Sequence, residues 1–165
     1  MNLLKSRNFQ PIATSLICLV VLTGCGDPFG TPPPDVTTKP SAKQIQYCRD
    51  VMYINPKINI TPVGYYYEHG FQDDSIAFKF VAQAERIDEI FLAEFVPPSE
   101  LVERTSSHGL DYSIGEKWWD PSGQTLIGDN FSVPPPNSQG TRALNVGIID
   151  NGEKSFTVYV YWFET

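Results

Sequence analysis

The C-terminal segment carries the pattern that most restricts the fold. Ala143 to Ile149 and Ser155 to Phe163 are rich in β-branched and aromatic residues, and only Asp150-Asn151-Gly152-Glu153 separates them. Asn-Gly readily takes the two positive φ values of a type I′ turn, whose twist matches that of the flanking strands. The pattern therefore predicts a tight antiparallel hairpin. In its second run Phe156, Val158, Val160 and Trp162 alternate with Thr157, Tyr159, Tyr161 and Phe163. Successive side chains of a strand point to opposite faces, so both faces of this strand are largely apolar. Such a strand belongs in the interior of a sheet, with material packed on each side.

Upstream, Val63 to Glu68 and Ser75 to Ala82 read as two strands around the polar loop His69 to Asp74. Ile76, Phe78 and Phe80 share one face of the second, and Ala77, Lys79 and Val81 the other. Between Ala84 and Phe95 the spacing of Ile87, Ile90 and Phe91, opposite Glu85, Arg86, Asp88 and Glu89, predicts the main helix, ended by Pro97-Pro98. Gln44 to Tyr53 is shorter and ambiguous, with a helix stopped before Pro56 as one reading. Gly109 to Asn137 reads as loop-rich, with Trp118-Trp119-Asp120-Pro121 and a Pro134-Pro135-Pro136 tract. The expected fold is α+β: a small, mostly antiparallel sheet with one main helix and a C-terminal β-hairpin, in a single domain over residues 44–165.

The N-terminus reads as an address. Lys5 and Arg7 precede an apolar stretch from Ile12 to Leu22, shorter than the ~20 residues that span a bilayer. It ends in Leu22-Thr23-Gly24-Cys25, which resembles the lipobox of bacterial lipoproteins. That resemblance covers residues 1–25 alone. It implies a signal peptide over residues 1–24, cleavage before Cys25, and transfer of diacylglycerol to the Cys25 thiol, usually with a further acyl chain. Each buried methylene contributes ~0.8 kcal/mol, so two or more chains anchor stably. The implied location is the bacterial cell envelope, bound to membrane lipid through Cys25. Gly26 at the next position favours the outer membrane in a host that has one. Residues 25–43 hold five prolines after the cysteine and few apolar groups, which predicts an extended tether.

Composition excludes more than it identifies. The net charge is -7, and loss of Lys5 and Arg7 with the signal leaves -9, a poor match to a phosphate backbone. Nucleic acid is therefore not an expected partner. With Cys18 removed and Cys25 acylated, Cys48 remains alone and no internal disulfide is available. Arg49 beside it could activate the thiol, but a buried inert cysteine is the commoner case. Neither a G-x-S-x-G elbow nor a phosphate-binding glycine motif occurs, and Ser107-His108 adjacency is no triad.

Two groups of residues remain as candidates. His69, Asp73 and Asp74 concentrate metal-ligating and acid/base chemistry in one loop, although Asp and Gly are also ordinary turn formers. Trp118 and Trp119 with Tyr112, near Glu116 and Asp120, form an aromatic cluster: a loop folding one indole over the core is the commoner arrangement, and an exposed indole would offer a flat face to stack on a sugar or anchor a protein interface. The reading that follows is a non-catalytic binding domain on a lipid anchor, without cofactor or metal, whose partner is another envelope protein. Its rivals are a carbohydrate or peptidoglycan binder using the tryptophans, and a metal-dependent enzyme built on His69, Asp73, Asp74 and His108.

Overall fold

Seven strands form one antiparallel sheet, described by a computed structural model for residues 32–70, 73–104, 109–112, 114–134 and 141–164. In chain order the elements are β1 (Asp35–Thr37), α1 (Ala42–Val51), β2 (Asn59–His69), β3 (Asp74–Gln83), β4 (Val102–Arg104), β5 (Leu126–Val133), β6 (Arg142–Gly152) and β7 (Ser155–Glu164). Two meanders, β1-β2-β3 and β4-β5-β6-β7, meet where β7 pairs with β3, giving the order β1-β2-β3-β7-β6-β5-β4. The expected class holds in its coarse form: a mainly β body, mostly antiparallel sheet, with one α-helix and a C-terminal hairpin.

Strand β7 is central, as its doubly apolar pattern predicts. Phe156, Val158, Val160 and Trp162 enter a large core with Ile76, Phe78 and Phe80 of β3 and Cys48 and Val51 of α1. Tyr159 and Tyr161 enter a smaller core on the opposite face, with Leu110, Trp119, Tyr66 and Leu126. A helix covers one face and a long connection covers the other.

Among the described residues the one α-helix is not at Ala84–Phe95. That segment contains only a 3-10 turn, Ile87–Glu89. Ile90 and Phe91 are buried as their spacing requires, but the backbone around them is claimed from elsewhere. The Asn55 amide donates to the Ile90 carbonyl at 2.9 Å, the Leu92 amide to Tyr53 at 2.9 Å, and Asn55 Nδ2 to Glu89 at 2.9 Å. Short helices are marginal without tertiary support, and here the tertiary contacts favour an extended path. The helix forms instead at Ala42–Val51, where Ser41 and Gln44 make a capping box: the Gln44 amide donates to Ser41 Oγ at 3.3 Å and the Ser41 amide to Gln44 Oε1 at 2.7 Å.

The ordered body also starts before Gln44. Asp35–Thr37 pairs with Tyr65–Tyr67 as an edge strand inside the proline-rich segment, and Gln44 Nε2 donates to Asp35 Oδ2 at 2.8 Å. Strand β5 lies within the stretch expected to be loop. Its Gly128, Asp129 and Asn130 weaken the sequence signal, yet each has a reason to be there. A Cβ at Gly128 would collide with the Val146 carbonyl, Asp129 pairs with Arg104, and Asn130 donates to the buried Asn145.

The hairpin turns two residues later than the Asn-Gly pair suggests. Gly152 pairs with Ser155, and Glu153 and Lys154 occupy the turn with φ of 53° and 61°. Asn151 is bulged out between Asp150 and Gly152. The reason is the two-residue period of a strand. A turn centred on Asn151-Gly152 would set Ile148 opposite Ser155 and Leu144 opposite Tyr159, mixing the two faces of the sheet. With the bulge, Ile148 meets Val158, Val146 meets Val160 and Leu144 meets Trp162, and all six enter the same core. Gly152 takes φ +78°, with no atom near enough to meet a Cβ. Gly152→Val should therefore cost backbone strain alone, about 1–2 kcal/mol in urea unfolding, with the spectroscopic signature of the native sheet kept.

Candidate functional site

The second face of the sheet carries a row with three glycines that decides what can lie on it. Gly64, Lys79, Tyr159, Gly147 and Gly128 are register partners across five strands. Glycines inside strands allow another group to approach the backbone closely. The connection 109–125 uses this room. Trp118 lies on Gly64, where a Cβ would overlap its ring, and Leu110 and Leu126 lie on Gly147, where a Cβ would stand 2.6 Å from Leu110 Cδ1.

Both tryptophans are therefore packing groups. Trp119 is buried, with its ring edge-to-face on Tyr159 at 5.6 Å and its Nε1 donating to the Leu110 carbonyl at 3.1 Å. Trp118 is half-buried and meets Trp119 edge-to-face at 5.9 Å. Neither indole is an open stacking surface. Two neighbouring tryptophans can both pack on this face because Gly64 and Tyr159 lie beneath them in one row, on either side of Lys79.

Asp120, next in sequence, pins the connection to the sheet. Its carboxylate accepts from Lys79 Nζ at 2.5 Å and from the Tyr159 hydroxyl at 2.8 Å, and the Lys79 ammonium lies 4.7 Å from the Tyr159 ring centroid. Partial burial works against the charged carboxylate, but the hydrogen bonds from Lys79 and Tyr159 outweigh it and hold Asp120 below the usual aspartate range. Burial, reinforced by donation to Asp120, pushes the Tyr159 hydroxyl up. At the other end of the connection, Asn145 Nδ2 donates to the Gly109 carbonyl at 2.9 Å.

The exposed aromatic is Tyr112. It is 62% exposed, and one ring face is stacked on Tyr161 at 4.9 Å and 17°. It lines an open pocket of about 320 Å³ together with Trp119, Glu116, Lys117, Asp111 and Ser122. The structure thus brings Tyr112, Trp119 and Glu116 together, and leaves Trp118 and Asp120 outside the pocket lining.

The histidine loop is elsewhere, at the tip of the β2–β3 hairpin. His69 and Asp74 are register partners, with His69 Nδ1 2.6 Å from Asp74 Oδ1, and the Tyr67 hydroxyl donates to Asp74 Oδ2 at 2.8 Å. Burial, then donation to Asp74, pushes the Tyr67 hydroxyl up. Asp73 is exposed and takes no part in this cluster in any bond described. His108 and Cys25 lie outside the described residues. Among the described residues no group of three or more His, Cys, Asp or Glu side chains is placed to hold a metal ion. Cys48 is fully buried, burial pushes its thiol up, and Arg49 points elsewhere, donating to the Asn55 and Ile58 carbonyls at 3.0 and 2.8 Å.

Two measurements test this layering. Gly64→Ala should dislodge Trp118, giving red-shifted and more readily quenched tryptophan emission and a stability loss of about 1–3 kcal/mol. Asp120→Asn should cost about 1 kcal/mol or less at neutral pH, because the carboxylate is more than half exposed. A depressed folded-state pKa stabilises above the unfolded value of about 3.9 and loses that contribution as pH falls through the folded value. The stability difference between wild type and Asp120→Asn should accordingly begin to shrink below about pH 4 and vanish once the pH lies below the depressed folded value.

Compared with protein-family models, with curated proteins and with solved structures, the chain matches none.

Proposed function

We propose that the chain is a lipid-anchored protein of the bacterial cell envelope whose folded domain is a non-catalytic binding module for another envelope protein. The anchor reading rests on the basic, apolar and lipobox segments ending at Cys25. The binding reading rests on one observation: the Tyr112 ring, 62% exposed, is braced by Tyr161 at the mouth of a pocket. Rigid aromatic groups that need little further ordering are the usual anchors of protein interfaces. The proline-rich stretch before Asp35 would hold this surface away from the membrane.

A carbohydrate or peptidoglycan ligand is the second reading. It is favoured by the same ring, which with Glu116 and Ser122 nearby offers a stacking face beside hydrogen-bonding groups. Its platform is then Tyr112 and not Trp118 or Trp119.

A mild-detergent pull-down of the full-length lipidated protein from its native envelope tests the reading. The expected result is a stoichiometric protein partner that is retained by the wild type and lost with Tyr112→Ala. Recovery of the wild-type protein alone would sink it. The anchor is tested separately: Cys25→Ser should move the chain from the membrane fraction to the soluble fraction or leave it as uncleaved precursor, without acyl label.

A further inference from the structure

Outside the buried cores the described surface offers three features that bear on chemistry: the His69–Asp74–Tyr67 cluster, the Arg142–Glu164 pair beside Trp162, and the Tyr112 pocket. The first two are strand-end pairs held by their register neighbours, although Arg142 Nε and Trp162 Nε1 are buried without a hydrogen-bond partner. The pocket is different, because aromatic and acidic groups converge on an open space.

We propose that this pocket receives a cationic side chain, a guanidinium or an ammonium, presented by the protein partner. The proposal deepens the binding-module reading and rests on it. Its lining residues include Tyr112, whose ring is largely exposed, with Trp119, Glu116 and Asp111. The negative face of an aromatic ring attracts a cation, most strongly where water is partly excluded. A carboxylate at the same place supplies a charge-assisted hydrogen bond, bidentate for guanidinium. A volume of about 320 Å³ lies near the lower end of ordinary ligand pockets, which suits a single long side chain better than an extended chain of sugars.

The wider charge distribution points the same way. The chain carries -7 overall, which steers positively charged partners inward and disfavours the anionic groups of envelope polymers. Lys117 opposes this, since its ammonium shares the lining. Two carboxylates against one ammonium leave the pocket negative, so Lys117 sets the limit on affinity without reversing the preference.

The test titrates the blocked peptide acetyl-Gly-Arg-Gly-amide, and its citrulline counterpart, into the full-length protein in detergent micelles. Binding is read by the ¹⁵N-labelled indole resonances. The arginine peptide should shift the Trp119 indole saturably and leave the Trp118 and Trp162 indoles in place. Glu116→Gln and Tyr112→Ala should each weaken the binding about five- to tenfold, on the order of 1.0–1.4 kcal/mol. Lys117→Gln should tighten it. The Trp118 and Trp162 resonances show in each variant that the fold is kept.

Equal binding of the citrulline peptide, which has nearly the same shape without the charge, would overturn the proposal. So would a shift of Trp119 by a soluble muropeptide and not by the arginine peptide, which would assign the pocket to glycan. Absence of any arginine-dependent shift, with partner retention still dependent on Tyr112, would remove the cation and leave the binding module standing. If retention were insensitive to Tyr112 as well, both would fall.

Discussion

Pairing between β7 and β3 is the one ladder that joins the two meanders, and it runs nearly the full length of both strands, from Ser75–Phe163 to Gln83–Ser155. Antiparallel ladders join neighbouring segments cheaply through short turns, but this ladder unites strands separated by the whole middle of the chain. Closing so long a loop costs entropy before any contact compensates for it. The compensation is burial on both faces. Val158, Val160 and Trp162 leave water on one side, and Tyr159 and Tyr161 on the other, at roughly 25 cal/mol per Å² of apolar surface removed. Other features of the fold follow from keeping those two faces distinct.

The bulge at Asn151 is the clearest case. A two-residue turn without an extra residue would slide β6 against β7 by an odd number of positions and exchange core and outer residues along the hairpin. Asn151 restores the match, and its side chain is used locally, with Nδ2 donating to Thr157 Oγ1 at 3.0 Å. The row of glycines on the second face is another. A connection without regular structure can shield Tyr159 and Tyr161 only if it lies close to the backbone, and Gly64 and Gly147 allow that approach. Where a helix would present a continuous apolar stripe, this connection uses a few large groups: Leu110, Trp118 and Trp119.

These constraints also explain what the sequence makes legible. The last strand, its doubly apolar pattern and its hairpin partner are plain because they are local and periodic. The β2–β3 pair is plain for the same reason, with ends displaced by a few residues. The helix is misplaced because Ile87, Ile90 and Phe91 have helical spacing, while Asn55 takes the Glu89 and Ile90 carbonyls and Tyr53 accepts from the Leu92 amide, contacts that no local pattern reveals. The true helix announces itself at Ser41-x-x-Gln44, a capping signal that precedes only a weakly apolar run. Strand β5 is obscured by Gly128, Asp129 and Asn130, each present for a partner on a neighbouring strand. At the candidate site the cluster of Tyr112 with Trp119 and Glu116 is legible, but the exposed ring is not. Exposure depends on Gly64, far away in sequence, which draws Trp118 onto the sheet.

Tyr112 consequently has two roles that share one ring. Its stacking on Tyr161 shields a residue of the central strand, so part of its role is structural. The rest of its surface is open to the pocket, and this is not required by the packing: a leucine could cover Tyr161 without offering a π-face or a hydroxyl. An aromatic ring held by the most deeply embedded strand of the sheet is also pre-organised, because its orientation is set by β7 and not by the connection that carries it. Binding to such a ring costs little ordering entropy. The connection itself is pinned at Asp120 by Lys79 and Tyr159 and at Gly109 by Asn145, so the segment bearing Tyr112, Glu116 and Trp119 is fastened to the sheet on both sides of the pocket. The central strand that the fold depends on is thus also the support of the surface proposed to bind.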